Sequence, residues 1–298
     1  MKDPIRTIAL ISTLLLMLLF ASAAAVSYPL TVTDELGRRV VLERPPQRIV
    51  AMIPSLTEAV CALRACDLLV GVDQFSNFPE QVVELPKLGS GFSPNVEEIV
   101  ALQPDLVLVD EDSGIASQLE AVGLTVFAGT GQTYDEVFEN FALLGTLLDR
   151  ETEAAVLSGR VRGQIEAVAA VVADLPEPTV FYELDATPYS VGPASFIGVL
   201  IAKAGGRNIV TEDMGEFPQV DPEYIVASDP EVIVLADAPF GETALTVAAR
   251  PGWNEIAAVA DGRVAELSGE QADALSRPGP RMGEAVLILA GIFHPGSF

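Results

Sequence analysis

The chain has 298 residues, half of them apolar, with 17 Lys plus Arg against 42 Asp plus Glu. So apolar a composition excludes disorder, and a net charge of −25 repels nucleic acid and anionic membrane surfaces. One histidine and two cysteines exclude a Cys/His metal cluster, and His294, close to the C-terminus, is badly placed for a Ser-His-Asp or Cys-His hydrolase.

The chain opens with Lys2 and Arg6, an apolar run from Ile8 to Phe20, and the small residues Ala21-Ser22-Ala23-Ala24-Ala25. That order reads as a secretory signal peptide over 1–25, removed after Ala23 or Ala25. The other reading, a membrane anchor, needs about 20 apolar residues, and this run has 13. Loss of Lys2, Asp3 and Arg6 leaves 15 basic against 41 acidic residues, a mature charge near −26. No Cys lies near the cleavage region, which argues against a lipid anchor.

Residues 28–47 read as a hairpin, Thr31-Val32-Thr33 and Arg39-Val40-Val41 about the turn Asp34-Glu35-Leu36-Gly37. Short apolar strands then alternate with helices, the strands at 48–53, 106–109, 124–128, 179–184, 231–236 and 263–267. This alternation predicts an α/β architecture with mainly parallel sheets. Cys61 and Cys66 would lie about 8.5 Å apart on one unbroken helix, too far to bond. If the helix ends near Arg64 they can pair; otherwise they are two buried thiols.

One stretch repeats. Asn95-Val96-Glu97-Glu98-Ile99-Val100-Ala101 leads through Pro104-Asp105 into Leu106-Val107-Leu108-Val109, and 126 positions later Asp221-Pro222-Glu223-Tyr224-Ile225-Val226-Ala227 leads through Pro230-Glu231 into Val232-Ile233-Val234-Leu235. Each copy opens on an Asx helix cap and is stopped by Pro. Two similar α/β lobes follow, 26–148 and 177–298. Between them a spine over 149–176 contains a helix at 152–174, whose Leu157, Val161, Ile165, Val168 and Val172 form one apolar stripe.

Loops after the strands carry aromatics: Phe75 and Phe78 in one, Phe92 in Gly91-Phe92-Ser93-Pro94, and Phe217 in Glu216-Phe217-Pro218-Gln219. Phe92 and Phe217 precede the two repeated helices, so they either face each other across a cleft or pack their own loops. Tyr182, beside a strand end with Tyr189, is a further ligand candidate whose alternative place is the core. Near the C-terminus, Asp273 and Arg277 stand at ion-pair spacing on a helix. The stretch 273–281 concentrates two of the 15 mature basic residues, Arg277 and Arg281, and the alternative for Arg281 is the solvated first turn of a last helix over 281–292.

These features resemble the periplasmic binding proteins that serve importers of vitamin B12, haem and iron–siderophore complexes. The resemblance rests on Thr31-Val32-Thr33-Asp34, Pro45-Pro46-Gln47-Arg48-Ile49-Val50, Pro54-Ser55-Leu56-Thr57-Glu58, Phe78-Pro79, the stretch 95–107 and Gly205-Gly206-Arg207-Asn208. Phe217-Pro218-Gln219-Val220 and the Asp273/Arg277 pair are closest to the vitamin B12-binding branch, although Phe stands at 217 where that branch carries Trp. The resemblance implies two lobes joined by a long rigid helix with a ligand cleft between them, no catalysis and no resident cofactor. It also implies a monomer in the periplasm that binds a corrinoid through Phe75, Phe92, Phe217, Asp273 and Arg277, to which the reading of the strand ends adds Tyr182. Haem or a siderophore is the alternative ligand. Glu97 and Glu223 would dock the membrane subunits of an ABC importer.

Overall fold

The computed structural model describes residues 27–298; the expected signal peptide lies outside the described residues. The chain starts with an antiparallel hairpin, β1 (Leu30–Thr33) and β2 (Arg39–Leu42), whose Val32 and Val40 face the core in register. The N-terminal lobe follows as β3 (Ile49–Ala51), α1 (Pro54–Ala62), β4 (Leu69–Val72), the short hairpin β5 (Gly89–Ser90) and β6 (Ser93–Pro94), α2 (Val96–Ala101), β7 (Leu106–Val109), α3 (Ala116–Ala121) and β8 (Val126–Ala128). Helix α4 (Tyr134–Leu148), which the sequence reading did not single out, and the spine α5 (Glu151–Val172) lead out of it. The C-terminal lobe contains β9 (Thr179–Glu183), α6 (Phe196–Lys203), β10 (Arg207–Asn208), α7 (Pro222–Ser228), β11 (Val232–Leu235), α8 (Ala244–Ala248), α9 (Ala257–Ala260), β12 (Val264–Glu266), α10 (Gly269–Ser276) and α11 (Met282–Phe293).

Both sheets are wholly parallel, and they share one strand order. The first runs β4-β3-β7-β8 and the second β10-β9-β11-β12, so in each lobe the strands lie second, first, third, fourth. The repeat read from the sequence therefore extends to the whole lobe. Its local details match as well. The Asn95 side chain accepts from the Glu98 N–H at 3.3 Å, and that of Asp221 from the Glu223 N–H at 2.8 Å. Gln103 (φ 49°) and Asp229 (φ 45°) close the two helices in the left-handed region, one residue before each Pro. The carboxylate of Asp105 then accepts the Arg48 N–H at 2.9 Å, and that of Glu231 the Thr179 N–H at 2.8 Å, tying each β3-type strand to its neighbour. The central strands β7 and β11 are buried at every position, as a parallel sheet covered on both faces requires.

The spine's 22 residues span about 33 Å. Its expected stripe of Leu157, Val161, Ile165, Val168 and Val172 is buried throughout and belongs to the core cluster shared with both lobes. Helix α1 ends at Ala62 and Arg64 turns left-handed (φ 60°), which returns the chain so that Cys61 and Cys66, with Cα atoms 4.1 Å apart, form a disulfide. No helix among the described residues is long and apolar enough to cross a membrane.

Candidate functional site

In open parallel sheets ligands bind beyond the carboxyl ends of the strands, and a cavity of about 650 Å³ lies there, between the lobes. The N-terminal lobe contributes Asn77 and Phe78 from the loop after β4. The C-terminal lobe contributes Phe240 from the turn after β11, and Asp273, Ser276 and Arg281 from α10 and the segment beyond it.

The loop after β4 is pinned from beneath. Asp73, whose carboxyl burial pushes up, accepts the Phe75 N–H at 2.7 Å and the Ser76 hydroxyl. The Ser76 hydroxyl lies 2.8 Å from that of Thr57, and Lys87 donates to the Ser76 carbonyl at 2.6 Å. Phe75 and Phe78 are consequently held exposed, at 59% and 41%, by a loop whose own polar groups are paired.

Beneath the cavity the two lobes meet through charge. Glu58 on α1, 3% exposed, accepts from Arg277 Nη1 at 2.7 Å and from Arg281 Nε and Nη2 at 3.0 and 3.2 Å. Arg277 also donates to Asn77 Oδ1 at 2.9 Å and to the Phe75 carbonyl at 3.3 Å, and it pairs with Asp273 at 2.8 Å. The Arg281 guanidinium stacks on the Phe78 ring, 4.6 Å from its centroid. Arg281 is thus buried and paired, not the solvated first turn that the sequence suggested, because α1 brings a carboxylate of the other lobe to it.

Of the residues predicted to bind ligand, Asp273 lines the cavity and Arg277 is joined to it, but the Arg277 charge is engaged by Glu58. Phe75 is exposed two positions before Asn77 of the lining. Phe92 (71% exposed) sits on the β5–β6 turn and Phe217 (38%) before α7; both are exposed aromatics outside the lining of this cavity. Tyr182 is a correction. It is fully buried at the fourth of the five positions of β9, a strand buried throughout, so its ring packs in the core and is not exposed to the cavity. Glu97 and Glu223 are both exposed in the first turns of α2 and α7.

Sequence reasoning missed Glu58, whose partners lie 219 and 223 positions away, and Phe240, which only its place in an Ala-Pro-Phe-Gly turn after a strand could have flagged. It also missed a second charged cluster under the C-terminal lobe. Glu183, fully buried, is held by Arg250 through two bonds of 2.6 Å, and Arg250 also binds Glu242 at 2.8 Å and stacks on Trp253 at 4.5 Å. Beside them Asp237 keeps both carboxylate oxygens buried without a hydrogen-bond partner. Burial and the neighbouring Glu183 push its carboxyl up to about 7.

The comparisons with known proteins agree with this geometry. A family model described as "Periplasmic binding protein" matches residues 49–270. The chain is 31% identical over 282 residues, 91% of its length, to an uncharacterized ABC transporter substrate-binding lipoprotein of Bacillus subtilis, of which it covers 87%. It is likewise 31% identical over 282 residues, 91% of its length, to a cobalamin-binding protein of Halobacterium salinarum, of which it covers 75%. Among solved structures, the apo periplasmic heme-binding protein of Roseiflexus superposes with a TM-score of 0.73 at 24% identity, covering 85% of this chain and 99% of that chain, and at this identity it shows the fold alone.

 With a family model spanning most of its length and two-lobed parallel sheets about a cleft, the chain belongs to the periplasmic binding protein family.

Proposed function

We propose that this protein captures a corrinoid outside the cytoplasm and delivers it to the membrane subunits of an ABC importer. The observation that carries the ligand assignment is the chemistry of the cavity lining. Haem iron is held by protein His, Cys, Met or Tyr, and the residues lining the cavity include none of these. His294 is buried elsewhere, against the Ala204 carbonyl at 3.1 Å. Anionic siderophores and haem propionates call for free cations, whereas here the lining carries Glu270 and Asp273 against Arg281, itself bonded to Glu58. A corrinoid brings its own metal ligation and a periphery of neutral amides, which suits aromatic walls and a few hydrogen-bonding side chains. Asp273, Asn77 and Ser276 supply those polar contacts, with Phe75, Phe92 and Phe217 widening the aromatic rim. The relative named for cobalamin binding supports the same reading.

The test is a spectral and calorimetric titration of the purified protein with cyanocobalamin and, separately, with haem. Saturable one-to-one binding of cyanocobalamin, with haem at least a hundredfold weaker, is the expected result. Tighter binding of haem would assign the protein to the other ligand.

Delivery rests on Glu97 and Glu223. Matching places on two lobes of identical strand order give two exposed carboxylates that suit a two-fold symmetric importer carrying a cation on each subunit. The helix dipole alone favours each carboxylate by only about 0.3–1 kcal/mol and does not require that they occur as a pair.

A further inference from the structure

We infer that Phe240 is the aromatic wall on the C-terminal side of the cleft, stacking on a planar ring that meets Phe78 from the other lobe. The inference rests on the ligand reading above and names a contact which that reading does not contain. Phe240 is 90% exposed, so its ring adds almost nothing to the packing of its own lobe. Its backbone, in contrast, is fixed. The Phe240 N–H donates to the Asp237 carbonyl at 2.8 Å, the Gly241 N–H to that of Ala238 at 3.0 Å, and Gly241 closes the turn at φ 115°, where a side chain would be strained.

The repeat shows that the turn does not need the ring. After β7, the N-terminal lobe makes the same kind of turn over Glu111–Ser113, closed by Gly114 at φ 70°. There the residue before the closing glycine is Ser113. One scaffold thus carries Ser in one lobe and Phe in the other, and the difference lies at the tip. A single exposed apolar side chain is ordinary on a protein surface. Phe240, however, lines the same cavity as Phe78, and the two come from opposite lobes. Phe78 is itself held, by the pinned loop after β4 and by Arg281 against its ring. Two preset aromatic groups about one cavity of ≈ 650 Å³ fit a flat, conjugated ligand.

The experiment compares wild type with Phe240→Ala, Phe240→Trp and Phe78→Ala by calorimetry, using cyanocobalamin and haem as the two probes. Loss of an aromatic platform should weaken binding about ten- to a hundredfold in each Ala variant, while Phe240→Trp retains or tightens it. Melting temperature should be unchanged in Phe240→Ala, because the ring is exposed. If wild type binds cyanocobalamin and Phe240→Ala binds it equally well, the inference is overturned and the corrinoid reading stands. If wild type binds haem alone and Phe240→Ala loses it, the inference stands and the corrinoid reading falls. Binding of neither probe would overturn both.

Discussion

Replacing Glu58 probes the contact that joins the lobes. Its carboxylate is 1% exposed at the side chain and faces two guanidinium groups that are 10% and 7% exposed. In Glu58→Gln the volume is kept and the charge is lost. Arg277 retains Asp273 at 2.8 Å and Asn77 at 2.9 Å, so most of its pairing survives. Arg281 retains the Phe78 ring and one neutral amide oxygen as acceptor, and it becomes a buried cation without a counter-charge. Breaking a buried pair in this way costs about 3–5 kcal/mol. At a urea slope of about 3 kcal/mol per M, the unfolding midpoint should fall by about 1 M or more. Adding Arg281→Met to Glu58→Gln removes the stranded charge and should recover a large part of the loss. A midpoint within 0.2 M of wild type in Glu58→Gln, roughly half a kcal/mol at that slope, would refute the reasoning and leave the cluster energetically neutral.

Reversing Glu97 and Glu223 to Lys should leave cyanocobalamin affinity intact and abolish uptake in proteoliposomes holding the importer, since losing one partner of a close interfacial pair costs about 2–5 kcal/mol; normal uptake would return both residues to helix-capping roles. Asp237 has its folded value raised to about 7 from the usual 3.8, so protonation favours the folded state, stability is full below the usual value, and it declines as pH rises to about 7. Asp237→Asn should flatten that decline in thermal melts taken between pH 4 and 8. Replacing Cys61 and Cys66 with Ala opens a loop of only a few residues and should lower stability by about 2 kcal/mol, read from urea midpoints. Scattering of free and loaded protein should give nearly equal radii of gyration, because the spine crosses both lobes; a contraction of several ångströms would indicate hinged closure.

The repeat was legible because its signals are local: an Asx cap, a Pro stop and a wholly apolar strand recur in order. Alternation of strands and helices likewise led to two parallel sheets. Strand β4 escaped notice because its apolar run is interrupted by Gly71, where a Cβ would come within 2.6 Å of Leu88 and 2.7 Å of Leu102. The Tyr182 error has a different cause. A strand buried on both faces loses its period of two, so nothing in the sequence tells an inward ring from a cleft-facing one. Glu58 was hidden by distance along the chain, and Phe240 by the ordinariness of one aromatic in a loop.

The cross-lobe ion cluster also bears on the order of folding. Each sheet is built from one continuous stretch, so either lobe can assemble from contacts close in sequence. The bonds from Arg277 and Arg281 to Glu58 bridge 219 and 223 positions and can form only once the last helices have been added. Contacts of such long range form slowly, since the entropy of closing the chain must be met first. An N-terminal lobe that has folded ahead of its partner therefore holds Glu58 ready as a carboxylate without a counter-charge, and arrival of the C-terminal segment completes the cleft and the ion cluster in one step.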